Sequence, residues 1–140
     1  MAKLQSQITS GPNSIAQAAA VEALTGPQEF MHERAAIFQE RRDVVLDLLG
    51  QVPGLKCHKP EGAFYVFPSC AGLIGRKTPE GKVLQTDGDV TLHFLENAGV
   101  AVVMGDAYGM SPFFRLSYAT SMDLLKEGCA RIRRACEALT

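Results

Sequence analysis

The sequence lacks the residue groupings that indicate a metal or redox site. Its four cysteines form no Cys-x-x-Cys pair, and its three histidines are scattered rather than set at the spacing of metal ligands. We therefore expect neither a metal site nor a redox site. Cys129 and Cys136 fall on one face of a predicted helix. We interpret both as small buried hydrophobic residues with a structural role.

The sequence also lacks an excess of charge of one sign and any long apolar run. Fourteen basic residues face fifteen acidic ones, which leaves a formal net charge of -1, so no global field would attract nucleic acid or an anionic membrane. No apolar run could span a bilayer, and residues 1–7 contain no apolar core of a signal peptide. We expect a cytoplasmic protein that binds neither nucleic acid nor membranes.

The 140 residues that are present suffice for one ordinary domain with a core of its own. Residues 1–9 have apolar side chains but no preceding turn or cap, and we interpret them as a strand continuing from a longer, truncated chain. An alanine-rich helix is predicted over 13–24. After the break at 25–27, a long amphipathic helix is predicted to begin near Pro27 and to end before Gly50 and Pro53.

The remaining pattern alternates short strands and helices. Strands are predicted over 63–67, 100–103 and 113–119, and helices over 90–97, after capping residues 86–89, and from Ser121 onward. The polar stretch 69–88 is long for a connection and predicts a lid, an excursion or a mobile segment. The pattern indicates an α/β chain that forms a two-layer α+β sandwich, with a short sheet of three to four strands covered by helices on one side. Residues 1–26 do not fit within it, and 27–140 form the small domain.

The predicted strand 113–119 carries one charged residue, Arg115. A two-residue period places Arg115 and Ser117 on the face opposite Phe114 and Leu116. A guanidinium held on a strand offers a planar fork that matches a carboxylate. The non-functional alternative is an edge-strand arginine that points into water or pairs with an acidic neighbour.

The residues that lead into this strand favour the carboxylate-binding interpretation of Arg115. The segment Gly105-Asp106-Ala107-Tyr108-Gly109-Met110-Ser111-Pro112, followed by 113–119, resembles the segment by which class I aminotransferases, of the aspartate aminotransferase kind, present the arginine that binds the substrate carboxylate. Further stretches resemble the family in the same order. They are 3–10 followed by Ser14-Ile15-Ala16-Gln17, then Pro60-Glu61-Gly62-Ala63-Phe64-Tyr65, then Gly99-Val100-Ala101-Val102-Val103.

The resemblance implies a role for each matching residue. Arg115 would bind the α-carboxylate of the substrate, and Phe64 would line the pocket beside it. Thr9 and Ser10 would lie in a loop that projects toward the phosphate of pyridoxal 5'-phosphate in the neighbouring subunit, so a homodimer is implied. Here Gly11-Pro12 replaces the frequent Asn-Pro pair of the family, and Met104-Gly105-Asp106 also departs from its pattern. The fold implied is the small C-terminal domain of a fold type I enzyme.

The family's cofactor-binding lysine lies in a Ser-x-x-Lys context upstream of the position that corresponds to Lys3. No lysine of this chain has that setting. The lysines are Lys3, Lys56, Lys59, Lys77, Lys82 and Lys126. The resemblance therefore implies that this chain is the C-terminal part of an aminotransferase and is inactive alone. The full-length enzyme would transfer an amino group from an amino acid, aspartate by default, to a 2-oxo acid such as 2-oxoglutarate. Two alternatives stay open, a stand-alone module that binds small carboxylates and a pyridoxal-phosphate lyase or decarboxylase of the same fold.

Overall fold

The computed structural model describes residues 1–140, which form two compact units, Met1–Ala35 and Ala36–Thr140. The helices are α1 (Ala2–Ile8), α2 (Ser14–Thr25), α3 (Glu29–Gly50), α4 (Asp87–His93) and α5 (Met122–Glu137). The strands are β1 (Tyr65–Val66), β2 (Val103–Met104) and β3 (Phe114–Ser117). None of the helices combines the length and the apolar character that crossing a membrane requires. The domain boundary predicted between residues 26 and 27 stays a prediction.

The first unit is helical where a strand was expected. Residues 2–8 form α1, so the prediction of a trailing strand is wrong. Leu4 and Ile8 are four residues apart, and this spacing places both on one side of a helix. Two residues are too few to establish the two-residue period of a strand. The prediction for α2 is confirmed, and the side chain of Asn13 caps it by accepting hydrogen bonds from the N–H groups of Ile15 and Ala16.

The second unit contains a three-stranded antiparallel sheet in the order β1-β3-β2. Tyr65 is paired with Ser117, and Val103 with Arg115. The middle position of β3 gives it a partner on both sides. The sheet confirms the predicted fold class, because it is short and has helices packed on one of its faces.

The core of the second unit lies between the inner face of the sheet and helices α3, α4 and α5. Phe94, at the end of α4, contacts Phe114 of β3 edge-on, with 5.4 Å between ring centroids. The thiols of the last helix belong to this core, as predicted. The fully buried residues that α3 and α5 contribute include Val45, Leu49, Ile132 and Cys136.

One predicted strand is shorter than expected, and one of the three alternatives for the long connection 69–88 is confirmed. Strand β1 covers only Tyr65–Val66, because Ala63 has a φ of 60° and leaves the extended conformation. The segment 69–88 is an ordered excursion rather than a lid. Leu73 and Leu84 within it are fully buried, and Lys77 is bridged to Val83. The excursion is therefore part of the packed core.

Candidate carboxylate-binding site

Arg115 lies on the face of β3 that is turned away from the core. Its neighbours Phe114 and Leu116 are buried, whereas Arg115 is half-buried and Ser117 is exposed. The predicted alternation of this strand is confirmed. The alternative that Arg115 lies on an edge strand is wrong, since β3 is the central strand of the sheet.

Two tyrosine rings contact the guanidinium of Arg115. Its Cζ lies over both rings, 4.5 Å from the centroid of Tyr65 and 4.9 Å from that of Tyr108. Tyr65 is the cross-strand partner of Ser117, and this makes it a diagonal neighbour of Arg115 on the same face. Phe67 supports Tyr108 edge-on at 5.9 Å. Each contact between the cation and a ring contributes about 0.5–2 kcal/mol, depending on exposure.

No acidic group of the chain neutralises Arg115. The ion pairs of the chain join other residues. The arginine side chains that donate hydrogen bonds are those of Arg42, Arg131, Arg133 and Arg134. Because the guanidinium N–H groups of Arg115 have no acceptor within the chain, they are available for two parallel hydrogen bonds to a carboxylate from outside it.

The glycine-rich loop before β3 is a compact turn held by its own backbone. Gly105 N–H donates to the carbonyl of Phe113 at 2.8 Å, and Met110 N–H donates to the carbonyl of Gly105 at 3.0 Å. A side chain at position 105 would collide with the Met110 carbonyl and would lie 2.8 Å from that of Phe113. Only glycine therefore fits at the start of this turn, whose 3-10 segment Gly105–Tyr108 carries Tyr108 to Arg115.

A buried carboxylate ties this turn to α4. Asp87 is 2% exposed, and its Oδ2 accepts a hydrogen bond from the backbone N–H of Asp106 at 2.9 Å. Its Oδ1 accepts from the N–H of Gly88 at 3.1 Å. Asp106 lies two residues before Tyr108. The position of the Tyr108 ring therefore depends on a side chain that is distant in sequence.

Phe64 lies beside the same tyrosine that contacts Arg115. Its ring centroid is 4.3 Å from that of Tyr65, so the structure brings the two predicted pocket residues of this unit together through Tyr65. The backbone around Phe64 is held by Tyr118, whose N–H donates to the Phe64 carbonyl and whose hydroxyl donates to the Ala63 carbonyl, both at 2.9 Å. Burial raises the pKa of the Tyr118 hydroxyl.

Thr9 and Ser10 belong to the first unit, where they follow α1. The Thr9 hydroxyl donates to the carbonyl of Gln5 at 3.0 Å, and Ser10 is exposed with a φ of 61°. The carbonyl end of a helix carries partial negative charge, which disfavours a phosphate. These residues alone therefore do not make a site for pyridoxal phosphate, and their contribution to one stays a prediction.

A hollow of about 460 Å³ elsewhere in the second unit has no comparable chemistry. Arg131 and Arg134, which line it, both pair with Glu127. His93, which also lines it, is 5% exposed and already contacts the Ala135 carbonyl and the Asn97 side chain. No group of three or more His, Cys, Asp or Glu side chains is placed to hold a metal ion.

Sequence reasoning did not single out Tyr65, Tyr108 or Asp87. Tyr65 becomes a neighbour of Arg115 only through the register of β1 and β3. Tyr108 stood within the quoted motif, but nothing in its spacing indicates which side chain it contacts. Asp87 was interpreted as one of several capping residues, and only the fold shows that its carboxylate reaches Asp106.

Comparison with known proteins identifies the family of the chain. The family model "Aminotransferase class I and II" matches residues 1–132. The chain is 56% identical over 140 residues to the aspartate aminotransferase of Rhizobium meliloti, covering 100% of this chain and 34% of that protein. It is 56% identical over 138 residues to the probable aspartate/prephenate aminotransferase of Rhizobium leguminosarum bv. phaseoli, covering 99% and 34%.

A solved structure extends the likeness to three dimensions. The crystal structure of the aspartate aminotransferase from Rhizobium meliloti superposes with a TM-score of 0.95 at 55% identity, covering 99% of this chain and 35% of that one. The chain thus spans about a third of the length of the curated relatives it matches. Class I and II aminotransferases are, as a family, pyridoxal-phosphate enzymes. With its family model, its fold and its arginine-bearing strand in agreement, this chain belongs to the class I and II aminotransferases.

Proposed function

We propose that this chain is the C-terminal third of a pyridoxal-phosphate-dependent aminotransferase and that it supplies the arginine which binds the substrate α-carboxylate. The guanidinium of Arg115 carries this proposal, because it is half-buried, contacts two rings and has no acceptor or counter-charge within the chain. Aspartate is the default amino donor, and 2-oxoglutarate is the default acceptor. The name of one relative adds prephenate as a candidate second substrate.

The contribution of this chain to such a reaction is orientation. When bound, the cofactor supplies an electron sink for the bonds at the substrate Cα. Arg115 would bind both carboxylate oxygens and thereby fix the position of the carboxylate, which restricts rotation about the Cα–N bond of the amino acid. Phe64, whose side chain is 41% exposed, would cover the substrate on one side and exclude water from it.

The wider organisation follows from the same proposal. Residues 1–26 would end the large cofactor-binding domain, and 27–140 would form the small domain. Thr9 and Ser10 would contribute hydroxyl groups near the cofactor phosphate across a homodimer interface, in a cytoplasmic enzyme. The chain alone would be inactive, since none of its lysines has the setting of the family's cofactor-binding lysine.

One observation favours a second candidate function, a free-standing carboxylate-binding module. All the residues of the hydrophobic core lie in the second unit, between Val45 and Leu139. A unit that contains its entire core can fold independently. This candidate predicts that the chain alone binds succinate through Arg115 without a cofactor.

The visible absorption spectrum of the longer protein that carries this chain tests the proposal. We expect a band from bound pyridoxal phosphate that shifts when aspartate is added, together with formation of glutamate when 2-oxoglutarate is present. Glycine, which lacks the side-chain carboxylate, is the matched control ligand. A protein that binds no chromophore would overturn the proposal, and succinate binding by such a protein would favour the module.

A further inference from the structure

An arginine that binds a carboxylate must be oriented before the ligand arrives. The arginine side chain loses roughly 2 kcal/mol of rotamer entropy when it is fixed, and this loss weakens binding unless the protein has already imposed the geometry. In Arg115 neither a hydrogen bond nor an ion pair within the chain imposes it. The contacts of its guanidinium with Tyr65 and Tyr108 are what constrain its position.

We propose that Tyr65 and Tyr108 form a clamp that orients the guanidinium of Arg115, and that Asp87 is the positioning residue of this clamp. The inference rests on the proposed function. Tyr65 is fixed because it belongs to a paired strand. Tyr108 lies at the end of a short turn and is 47% exposed, so burial alone does not hold its ring in place. The ring is positioned through the backbone of the turn, and Asp87 anchors that backbone at Asp106.

Capping does not account for Asp87. The capping box of α4 consists of Thr86 and Asp89, whose side chains each accept a hydrogen bond from the other residue's N–H. Asp87 lies between Thr86 and Asp89 and is outside this box. Its Oδ1 accepts from Gly88 N–H in the first turn of α4, and its Oδ2 accepts from Asp106 N–H in the distant turn. A buried carboxylate is costly unless hydrogen bonds compensate for its lost hydration. Its carboxylate thus links the first turn of α4 to the turn that carries Tyr108.

Asp89 provides a matched control for Asp87. The two residues share the first turn of α4, and the Asp89 carboxylate accepts from the N–H groups of Gln85 and Thr86 at 3.1 Å. It makes no hydrogen bond to the turn 105–108. Asp89→Asn therefore perturbs the same helix terminus without disturbing the clamp.

Nuclear magnetic resonance of the 140-residue chain tests the clamp independently of any activity. With 15N-labelled arginine, we expect the Nε–Hε resonance of Arg115, assigned by its loss in Arg115→Lys, to be shifted upfield by the ring currents. Tyr108→Phe should retain the shift because the ring is retained. Tyr108→Leu should remove a large part of it, Asp87→Asn should reduce it, and Asp89→Asn should leave it unchanged. An equal response of the two aspartate variants would overturn the role of Asp87.

Binding of succinate, an unreactive dicarboxylate, to the longer enzyme tests the consequence. Calorimetry should show a Kd that rises about two- to thirtyfold in Tyr108→Leu, the range that a lost cation–ring contact gives. We expect a smaller rise, roughly three- to tenfold, in Asp87→Asn, and less than about twofold in Asp89→Asn. Unchanged affinity in Tyr108→Leu and Asp87→Asn, with binding lost in Arg115→Lys, would overturn the clamp and leave the proposed function standing. Unchanged affinity in Arg115→Lys would overturn the proposed function itself.

Discussion

The hydroxyl of Tyr118 donates a hydrogen bond of 2.9 Å to the carbonyl of Ala63, and this bond joins the end of β3 to the turn before Phe64. Ala63 has a left-handed φ of 60°, which costs an L-residue with a Cβ about 1–2 kcal/mol. The neighbouring bond from Tyr118 N–H to the Phe64 carbonyl reinforces the arrangement. The strand that carries Arg115 therefore also fixes the backbone of the other predicted pocket residue.

Tyr118→Phe should destabilise the chain by about 1 kcal/mol, because the ring still packs but one hydrogen bond is lost. Urea unfolding followed by circular dichroism measures the change. The double variant Tyr118→Phe/Ala63→Gly should lose less free energy of unfolding than the sum of the two single variants. Glycine adopts the left-handed φ at position 63 without strain, so the hydrogen bond is no longer needed to hold it. Strict additivity would contradict this coupling.

Arg115→Lys in the longer enzyme should raise the KM for aspartate and lower kcat, with kcat/KM reduced about ten- to a hundredfold. Lysine keeps the charge but cannot reproduce two parallel hydrogen bonds. Steady-state kinetics measure the effect. The control is Arg133→Lys on α5, where the arginine is exposed and paired with Glu137. Kinetics in Arg115→Lys that match those of the control would refute the role assigned to Arg115.

Gly105→Ala should destabilise the chain by at least about 2 kcal/mol and weaken succinate binding, because the added Cβ collides with backbone carbonyl groups that close the turn. Gly128→Ala is the opposite case. Position 128 lies within α5, where a Cβ meets nothing within 4 Å, so we expect a gain of about 1 kcal/mol from helix propensity. Chemical denaturation of both variants measures the difference, and a stabilising Gly105→Ala would disprove the steric argument.

Stability should fall steeply above pH 9. Burial raises the pKa of Cys70 and of Cys129 to about 11 and that of Cys136 to about 12, from an ordinary value of 9.0. Between these values the unfolded chain loses thiol protons that the folded chain retains, so stability declines as pH rises. The contribution is fully present below pH 9 and decreases by up to about 1.4 kcal/mol per pH unit for each thiol.

The free energy of unfolding, measured from pH 7 to 11, checks this expectation. Cys136→Ala should lower stability at every pH because it leaves a cavity, yet the decline above pH 9 should become shallower. A wild-type free energy that is flat between pH 9 and 11 would show that the buried thiols do not control alkaline unfolding.

Local patterns were sufficient to predict the elements whose residues alternate or repeat clearly. The period of two in β3 predicted which side chains face outward, and the apolar stripe of α5 predicted that Cys129 and Cys136 are buried. The capping residues before α4 were also recognisable, because Thr86 and Asp89 have the spacing of a capping box. These signals are carried by residues close in sequence.

The parts that were not predicted depend on contacts between distant residues. The register that brings Tyr65 to Arg115 follows from the pairing of β1 with β3, and the bond from Asp106 to Asp87 follows from the packing of the turn on α4. The strand predicted over residues 1–9 is wrong for a different reason. The spacing of Leu4 and Ile8 is compatible with either period, so the local signal could not distinguish a helix from a strand.

The central strand β3 alternates buried and outward-facing side chains along a single stretch of backbone. Phe114 and Leu116 point into the core, whereas Arg115 and Ser117 point away from it. A deep mutational scan that scores protein abundance and amino-acid growth requirement independently should therefore show alternating effects along this strand. Substitutions at 114 and 116 would deplete the protein. Under the proposed function, substitutions at 115 would leave it abundant but unable to support growth.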